Sequence, residues 1–195
     1  MSHRFLSMKL LQTVLLCLLP IGPITAYAAE VPDPELLDLL RIAASEADSF
    51  GDEFDAQVWL TDMSARLAKT VRDPKERLEI LRNVHYEASR ADLPPELVLA
   101  VIDVESNFDH YAISVAGARG LMQIMPFWLD EIGRPDDNLL HISTNLRFGC
   151  TILRFYLDRE KGNLPRALGR YNGSLGKRQY PNKVLDKLRL KWFRI

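Results

Sequence analysis

An all-α fold is predicted, on three observations. Apolar residues recur every three or four positions in one segment after another. Prolines stand at the starts of those segments and glycines behind their ends, as helix boundaries require. No run of alternating apolar and polar residues marks a strand, and no repeat or low-complexity tract breaks the pattern. With 195 residues, 47% hydrophobic and 26% charged, the chain suffices for one packed domain, or one domain with a helical extension.

Residues 1–28 read as a signal peptide rather than as part of the fold. Arg4 and Lys9 form a basic start, Leu10 to Leu19 an apolar stretch, and Ala26-Tyr27-Ala28 a small-residue cleavage site. A membrane anchor is the alternative, but the apolar run is short and Pro20 and Pro23 break it. Lipidation at Cys17 is disfavoured because Leu16 stands where a lipobox needs a small residue. Cleavage near Ala28 removes two basic and no acidic residues, so the net charge moves from −1 to −3. That charge does not suit a generic nucleic-acid binder. Cleavage also leaves Cys150 alone. An exported chain with one cysteine gains no internal disulfide, and Cys150 is expected as a small buried apolar residue.

Pro32-Asp33-Pro34 opens the mature chain with a turn and a cap, and Leu36 to Ala44 suggest a helix reaching about Phe50. Gly51 and the acids after it mark a break. A second helix is predicted from Phe54 to Val71, with Val58, Met63 and Leu67 among its apolar positions. Asp73-Pro74 caps a third, which runs to about Ala91 with Leu78, Leu81, Val84 and Ala88 at helical spacing. Residues 29–77 carry no catalytic constellation. They are read as an N-terminal helical extension that either packs on the rest or docks a partner.

The fourth helix begins at Pro94-Pro95-Glu96, where proline is tolerated and an acid suits the positive helix end. Leu97 to Ile102 make it apolar nearly all round, which places it in the middle of a domain. After a loop rich in small residues, Pro126 starts a short helix that stops at Gly133. Ser143 is expected to cap a long helix to about Lys161, with Gly162 behind it. Its inner face is Leu146, Cys150, Leu153 and Leu157, and Gly149 admits a close neighbour. A short helix covers Leu164 to Tyr171 and ends at Asn172-Gly173. The last helix is predicted from Pro181 to Trp192, with Val184, Leu185 and Leu188 inward.

The residue with chemical promise is Glu105. It ends the apolar fourth helix, and Val98, Val101 and Ile102 share its face. Desolvation raises a carboxyl pKa, and a carboxylic acid kept protonated near neutrality serves as a general acid. From the helix alone, an ordinary glutamate at a helix end is an equal reading. A glycosidase usually needs two carboxylates. Asp103 faces elsewhere on the helix, and Asp109 reads as a turn residue after Ser106-Asn107. One strong acid without an evident partner fits a mechanism in which the substrate supplies the second group. His85, His110 and His141 lack metal-ligand spacing, so no metal and no cofactor are expected. Ser106 and Ser114 lack a nucleophile-elbow setting.

Taken together, four motifs in order resemble the catalytic domain of soluble lytic transglycosylases. They are Glu105-Ser106, the stretch Ser114-x-x-Gly117-Ala118-Arg119-Gly120-Leu121-Met122-Gln123-Ile124-Met125-Pro126, Asn145-Leu146-x-x-Gly149 with Tyr156-Leu157, and Tyr171-Asn172. The resemblance covers about Tyr86 to Leu188, and residues 78–195 are read as the catalytic domain. It implies a lysozyme-like helical fold, a periplasmic setting and cleavage of the β-1,4 bond between N-acetylmuramic acid and N-acetylglucosamine in peptidoglycan. Glu105 would protonate the leaving oxygen. It would then take the proton of the muramyl 6-hydroxyl, which closes a 1,6-anhydro ring without water.

The resemblance also implies site roles. Ser114 and Gln123 would line the sugar site, and Met122 would form its apolar floor or simply core. Tyr171 would place its hydroxyl near the acid, and Asn172 would shape the turn. Gly117 and Gly120 would let the loop approach the glycan. One departure stands out. The family usually has alanine then glycine after the tyrosine-asparagine pair, and here Gly173-Ser174 take those places. The segment Leu175 to Tyr180, with Lys177 and Arg178, is a candidate far wall of the groove. Glycan strands are the expected partner, with a cell-envelope or secretion assembly left open. A muramidase that uses water on the same fold, and a non-catalytic glycan-binding factor, are the competing readings.

Overall fold

The computed structural model describes Ser49 and residues 51–193. The signal-peptide reading of residues 1–28 and the helix expected up to about Phe50 lie outside them. Within them the chain is helical, as the periodicity predicts. Its elements are α1 (Glu53–Leu67), α2 (Pro74–Arg90), α3 (Pro95–Glu105), α4 (Phe127–Ile132), α5 (Ile142–Arg159), α6 (Leu164–Tyr171) and α7 (Gln179–Lys187), followed by a π-helical turn at Leu188–Trp192. The nearest approach to a strand is a pair of isolated antiparallel bridges, Ile113 with Arg119 and Arg119 with Ile124.

Helix α3 is the axis. Val98 to Ile102 are completely buried, Leu97 nearly so, and burying each large aliphatic side chain contributes about 1.5–3 kcal/mol. Helices α2 and α7 and the π-turn pack on α3, while α5 joins α2 to α6. Its N-terminal turn carries Pro95 and Glu96, and Glu96 accepts a hydrogen bond from the Trp59 indole at 2.9 Å.

Helix α1 stops four residues before the expected Val71, because Thr70 and Val71 turn their N–H groups back onto the Leu67 carbonyl. Its buried face is Ala56, Leu60, Met63 and Leu67. Val58, expected among its apolar positions, lies on the opposite face and is exposed, as is Phe54. These inward residues share one core with α2 and α3, so α1 packs on the other described helices. Arg77 seals the junction from inside. Its guanidinium is buried and donates to Ser64 Oγ at 2.8 Å and to the Val71 carbonyl at 2.7 Å.

Helix ends follow backbone chemistry closely. After α2 the N–H of Leu93 reaches the Ala88 carbonyl and that of Asp92 the Ser89 carbonyl, with Asp92 left-handed at φ 51°. The same device ends α5 at Lys161 and α6 at Gly173. Ser143 does not cap α5. The helix begins two residues earlier than that cap would place it, at Ile142 after His141, and no side chain caps it. Asn138 orders the incoming turn by accepting from the Leu140 N–H at 2.9 Å. The last predicted helix is divided: α7 starts at Gln179, two residues ahead of Pro181, and the final turn widens to a π-helix from Leu188.

Candidate active site

Glu105 ends α3 beside a cleft of about 380 Å³. Asn172, Ser174, Lys177 and Lys183 are among the other residues lining it. The Tyr180 hydroxyl donates to Glu105 Oε1 at 2.5 Å. Burial raises the Glu105 pKa above the ordinary glutamate value, and the Tyr180 hydrogen bond offsets part of that rise. Tyr180 itself is pushed well above the usual tyrosine range, first by burial and then by the Glu105 carboxylate, so its proton stays in place to be donated. A carboxyl that burial makes hold its proton more tightly, facing a cleft, is suited to donate that proton.

The two nearby acids part company with Glu105, as expected. Asp103 points the other way into the protein, with no exposed side-chain surface. It accepts from Lys187 at 2.5 Å, Lys191 at 2.7 Å and the Trp192 indole at 3.2 Å. Burial is the largest single influence and would raise its pKa, but the hydrogen bonds and charges of Lys187 and Lys191 together hold it below the usual carboxylate value. Asp109 accepts from the Tyr111 N–H at 2.9 Å, which makes it a turn residue. Among the described residues no group of three or more His, Cys, Asp or Glu side chains is placed to hold a metal.

The loop that follows α3 is knotted on its own backbone. The chain leaves the helix through two left-handed residues, Asn107 (φ 49°) and Phe108 (φ 66°). A phenylalanine in that conformation is strained, and it is held by burial against Trp192, with ring centroids 5.5 Å apart. Arg119 and Ile124 exchange backbone hydrogen bonds at 2.9 Å, and the Gly120 N–H meets the Ala112 carbonyl at 2.8 Å. Asn145, buried on α5, locks this knot with three bonds. Its amide oxygen accepts from the Met122 N–H, and its amide nitrogen donates to the Arg119 and Leu139 carbonyls, each at 2.8 Å. Gly120 sits so near that a Cβ there would lie 2.4 Å from Asn145 Nδ2. Gly149 has the same role toward Met122, whose sulfur would be 2.1 Å from an added Cβ. Ser106 completes the clamp by donating to the Leu121 carbonyl at 2.8 Å.

The expected site residues therefore fall into distinct places. Glu105 and Asn172 line the cleft. Tyr171 lies behind it, and burial and the Glu105 charge both raise its pKa. Its hydroxyl donates to the Met122 carbonyl at 2.8 Å, while the hydroxyl on Glu105 belongs to Tyr180. Met122 is completely buried, so it supports the site from the core side. Ser114 Oγ accepts from the Ala118 N–H at 3.0 Å, and Gln123 Nε2 donates to the Ala112 and Gly120 carbonyls. Both of these side chains shape the loop. Tyr180 was placed in the sequence only as the end of a far wall. Nothing in its local pattern marks it, because its partner lies 75 residues away. Of that wall, Lys177, Gln179 and Tyr180 line the cleft.

An all-α domain whose central helix ends on one desolvated carboxyl, steadied by a tyrosine at a cleft, defines the class as a candidate acid–base enzyme. Residues 82–189, more than half of the chain, match the transglycosylase SLT domain, and the chain belongs to that family. It is 32% identical over 110 residues to the transglycosylase of Enterobacteria phage PRD1, which covers 53% of this chain and 40% of the phage protein. It is 49% identical over 43 residues to the membrane-bound lytic murein transglycosylase C of Actinobacillus pleuropneumoniae, covering 22% of this chain and 12% of that protein. Among solved structures, an inactive mutant of the lytic transglycosylase Slt from Pseudomonas aeruginosa aligns with a TM-score of 0.45 at 24% identity. That alignment covers 83% of this chain and 32% of the other. The chain thus spans well under half the length of these relatives.

Proposed function

We propose that this protein is an exported lytic transglycosylase that cleaves the N-acetylmuramic acid–N-acetylglucosamine β-1,4 bond of peptidoglycan without water. The observation that carries the reading is the Glu105–Tyr180 pair at the cleft, in a chain of the transglycosylase SLT domain family. Glu105, protonated, gives its proton to the glycosidic oxygen as the bond to the anomeric carbon breaks. The resulting carboxylate then removes the proton of the muramyl 6-hydroxyl, and that oxygen bonds to the anomeric carbon. One proton is donated and one recovered, so Glu105 returns to its starting state and the product carries a 1,6-anhydro end. A second carboxylate is not needed, which agrees with Asp103 and Asp109 having structural partners. Ser114, Gln123, Met122 and Tyr171 contribute by holding the loop and its underside, and Asn172 by lining the cleft. The substrate is the glycan strand, and residues 1–28 direct the chain to the periplasm.

Mass spectrometry of soluble products from purified sacculi tests this. Anhydro-muropeptides are expected from the wild-type chain and none above background from Glu105→Gln. Reducing ends in place of anhydro ends would turn the assignment to a muramidase. Undiminished release by Glu105→Gln would remove the mechanism.

A further inference from the structure

Ser174 has an unexplained hydroxyl. Its Oγ is shielded from solvent yet has no hydrogen-bond partner, and the residue lines the Glu105 cleft. Burying a hydroxyl unpaired is costly, and such groups are few in folded proteins. The backbone around it cannot easily move to relieve this. The Ser174 N–H is bound to the Gly169 carbonyl at 2.7 Å, and the Ser174 carbonyl accepts from Lys177 at 2.9 Å. Gly173 holds the left-handed position at φ 69° that closes α6. Helix α6 packs directly under the loop, since a Cβ on Gly169 would lie 3.4 Å from Leu175 Cα. The remaining freedom is rotation of the serine side chain.

We propose that Ser174 is a substrate-binding residue whose hydroxyl pairs with a neutral polar group of the bound glycan, a sugar hydroxyl or an acetamido group. The hydroxyl is left unsatisfied in the free protein and satisfied in the complex. Free-state stability is thereby exchanged for binding. Asn172 and Gln179, which line the same cleft, offer further uncharged donors and acceptors suited to a sugar. The inference rests on the glycan-cleaving reading of Glu105 and adds a specificity contact to it.

The test is kinetics and thermal unfolding of the full chain and its Ser174→Ala variant, with purified sacculi as substrate. Losing one neutral hydrogen bond should raise the apparent KM about three- to tenfold, with kcat within about twofold. The variant's Tm should be unchanged or higher, because an unpaired buried hydroxyl has been removed. An unchanged KM would overturn the proposal. So would a clear fall in Tm, which would mean that the hydroxyl has a partner within the free protein. If the wild-type chain releases no anhydro products, it is the reading of Glu105 that fails, and the two failures are thereby told apart.

Discussion

Glu105 and Tyr180 form a unit whose protonation can be followed in two ways. The folded-state pKa of Glu105 is raised. Its neutral form is therefore compatible with the fold at low pH, and a stability cost appears as pH rises through the folded pKa. Glu105→Gln removes that cost. We expect it to abolish anhydro-product release while raising Tm at neutral pH. The gain should vanish when unfolding is measured below the ordinary glutamate pKa. Tyr180→Phe acts in the opposite direction on the acid. The tyrosine hydrogen bond lowers the Glu105 pKa, so its loss should move the high-pH limb of the activity profile upward. Activity at the optimum should fall by roughly tenfold or more, since a hydrogen bond to a charged group is worth about 1.5–3 kcal/mol. A Tyr180→Phe profile that did not shift would mean that the contact is structural only. Cys150 needs no such assay: it is completely buried and burial pushes its thiol pKa far up, as suits the inert core residue expected from the sequence.

Among the elements, the knotted loop and the C-terminal turn each depend on one polar side chain. Asn145 satisfies three backbone groups of residues 119, 122 and 139. Asn145→Ala should lower stability by about 3 kcal/mol, because each buried backbone group left unpaired costs 1–3 kcal/mol and some will relax. Denaturant unfolding would show this as a fall in the midpoint with little change in slope. Asp103 is the matching anchor on the other side of α3. It ties that helix to α7 and the π-turn through Lys187, Lys191 and Trp192. Breaking a buried pair by removing one charge costs about 3–5 kcal/mol. Asp103→Asn should therefore destabilise the chain and, because Tyr180 rides on α7, weaken the Tyr180–Glu105 contact as well. A variant with wild-type Tm and activity would show that the packing alone seats α7.

For the molecule as a whole, the question is what the family match leaves out. The match begins at residue 82, and the catalytic domain was expected from residue 78, with an extension before it. Packing does not pause there. Helix α1 buries Ala56, Leu60 and Leu67 completely in the common core. Trp59 bonds Glu96 at the start of α3, and Arg66 donates to the Lys191 carbonyl at 2.8 Å in the π-turn. Both ends of the site-bearing helix are thus steadied from α1, the second through the Asp103 anchor. A chain starting at Asp73 should fail to give a cooperative unfolding transition. Leu60→Ala in the full chain should cost about 2–5 kcal/mol, the range for a fully buried leucine. Calorimetry on both would decide; a cooperative Asp73 fragment would make α1 a true appendage.

Much of this was legible in the amino-acid order because it depends on neighbours in the chain. Helix periodicity, proline starts, glycine ends and the desolvated face of Glu105 are properties of residues within a turn or two of one another. The motifs around Ser114–Pro126, Asn145–Gly149 and Tyr171-Asn172 are equally local, and they sufficed to identify the family. What escaped was every decision that rests on a distant partner. The hydroxyl on Glu105 comes from Tyr180, not Tyr171, and Met122 turns inward against Gly149. Asp103 becomes an anchor for α7 and the π-turn. Helix phase says which side of an element a residue occupies, but not which of the other elements will face it. That choice is made when the apolar faces pack, and the pKa of Glu105 and the lining of its cleft are set there.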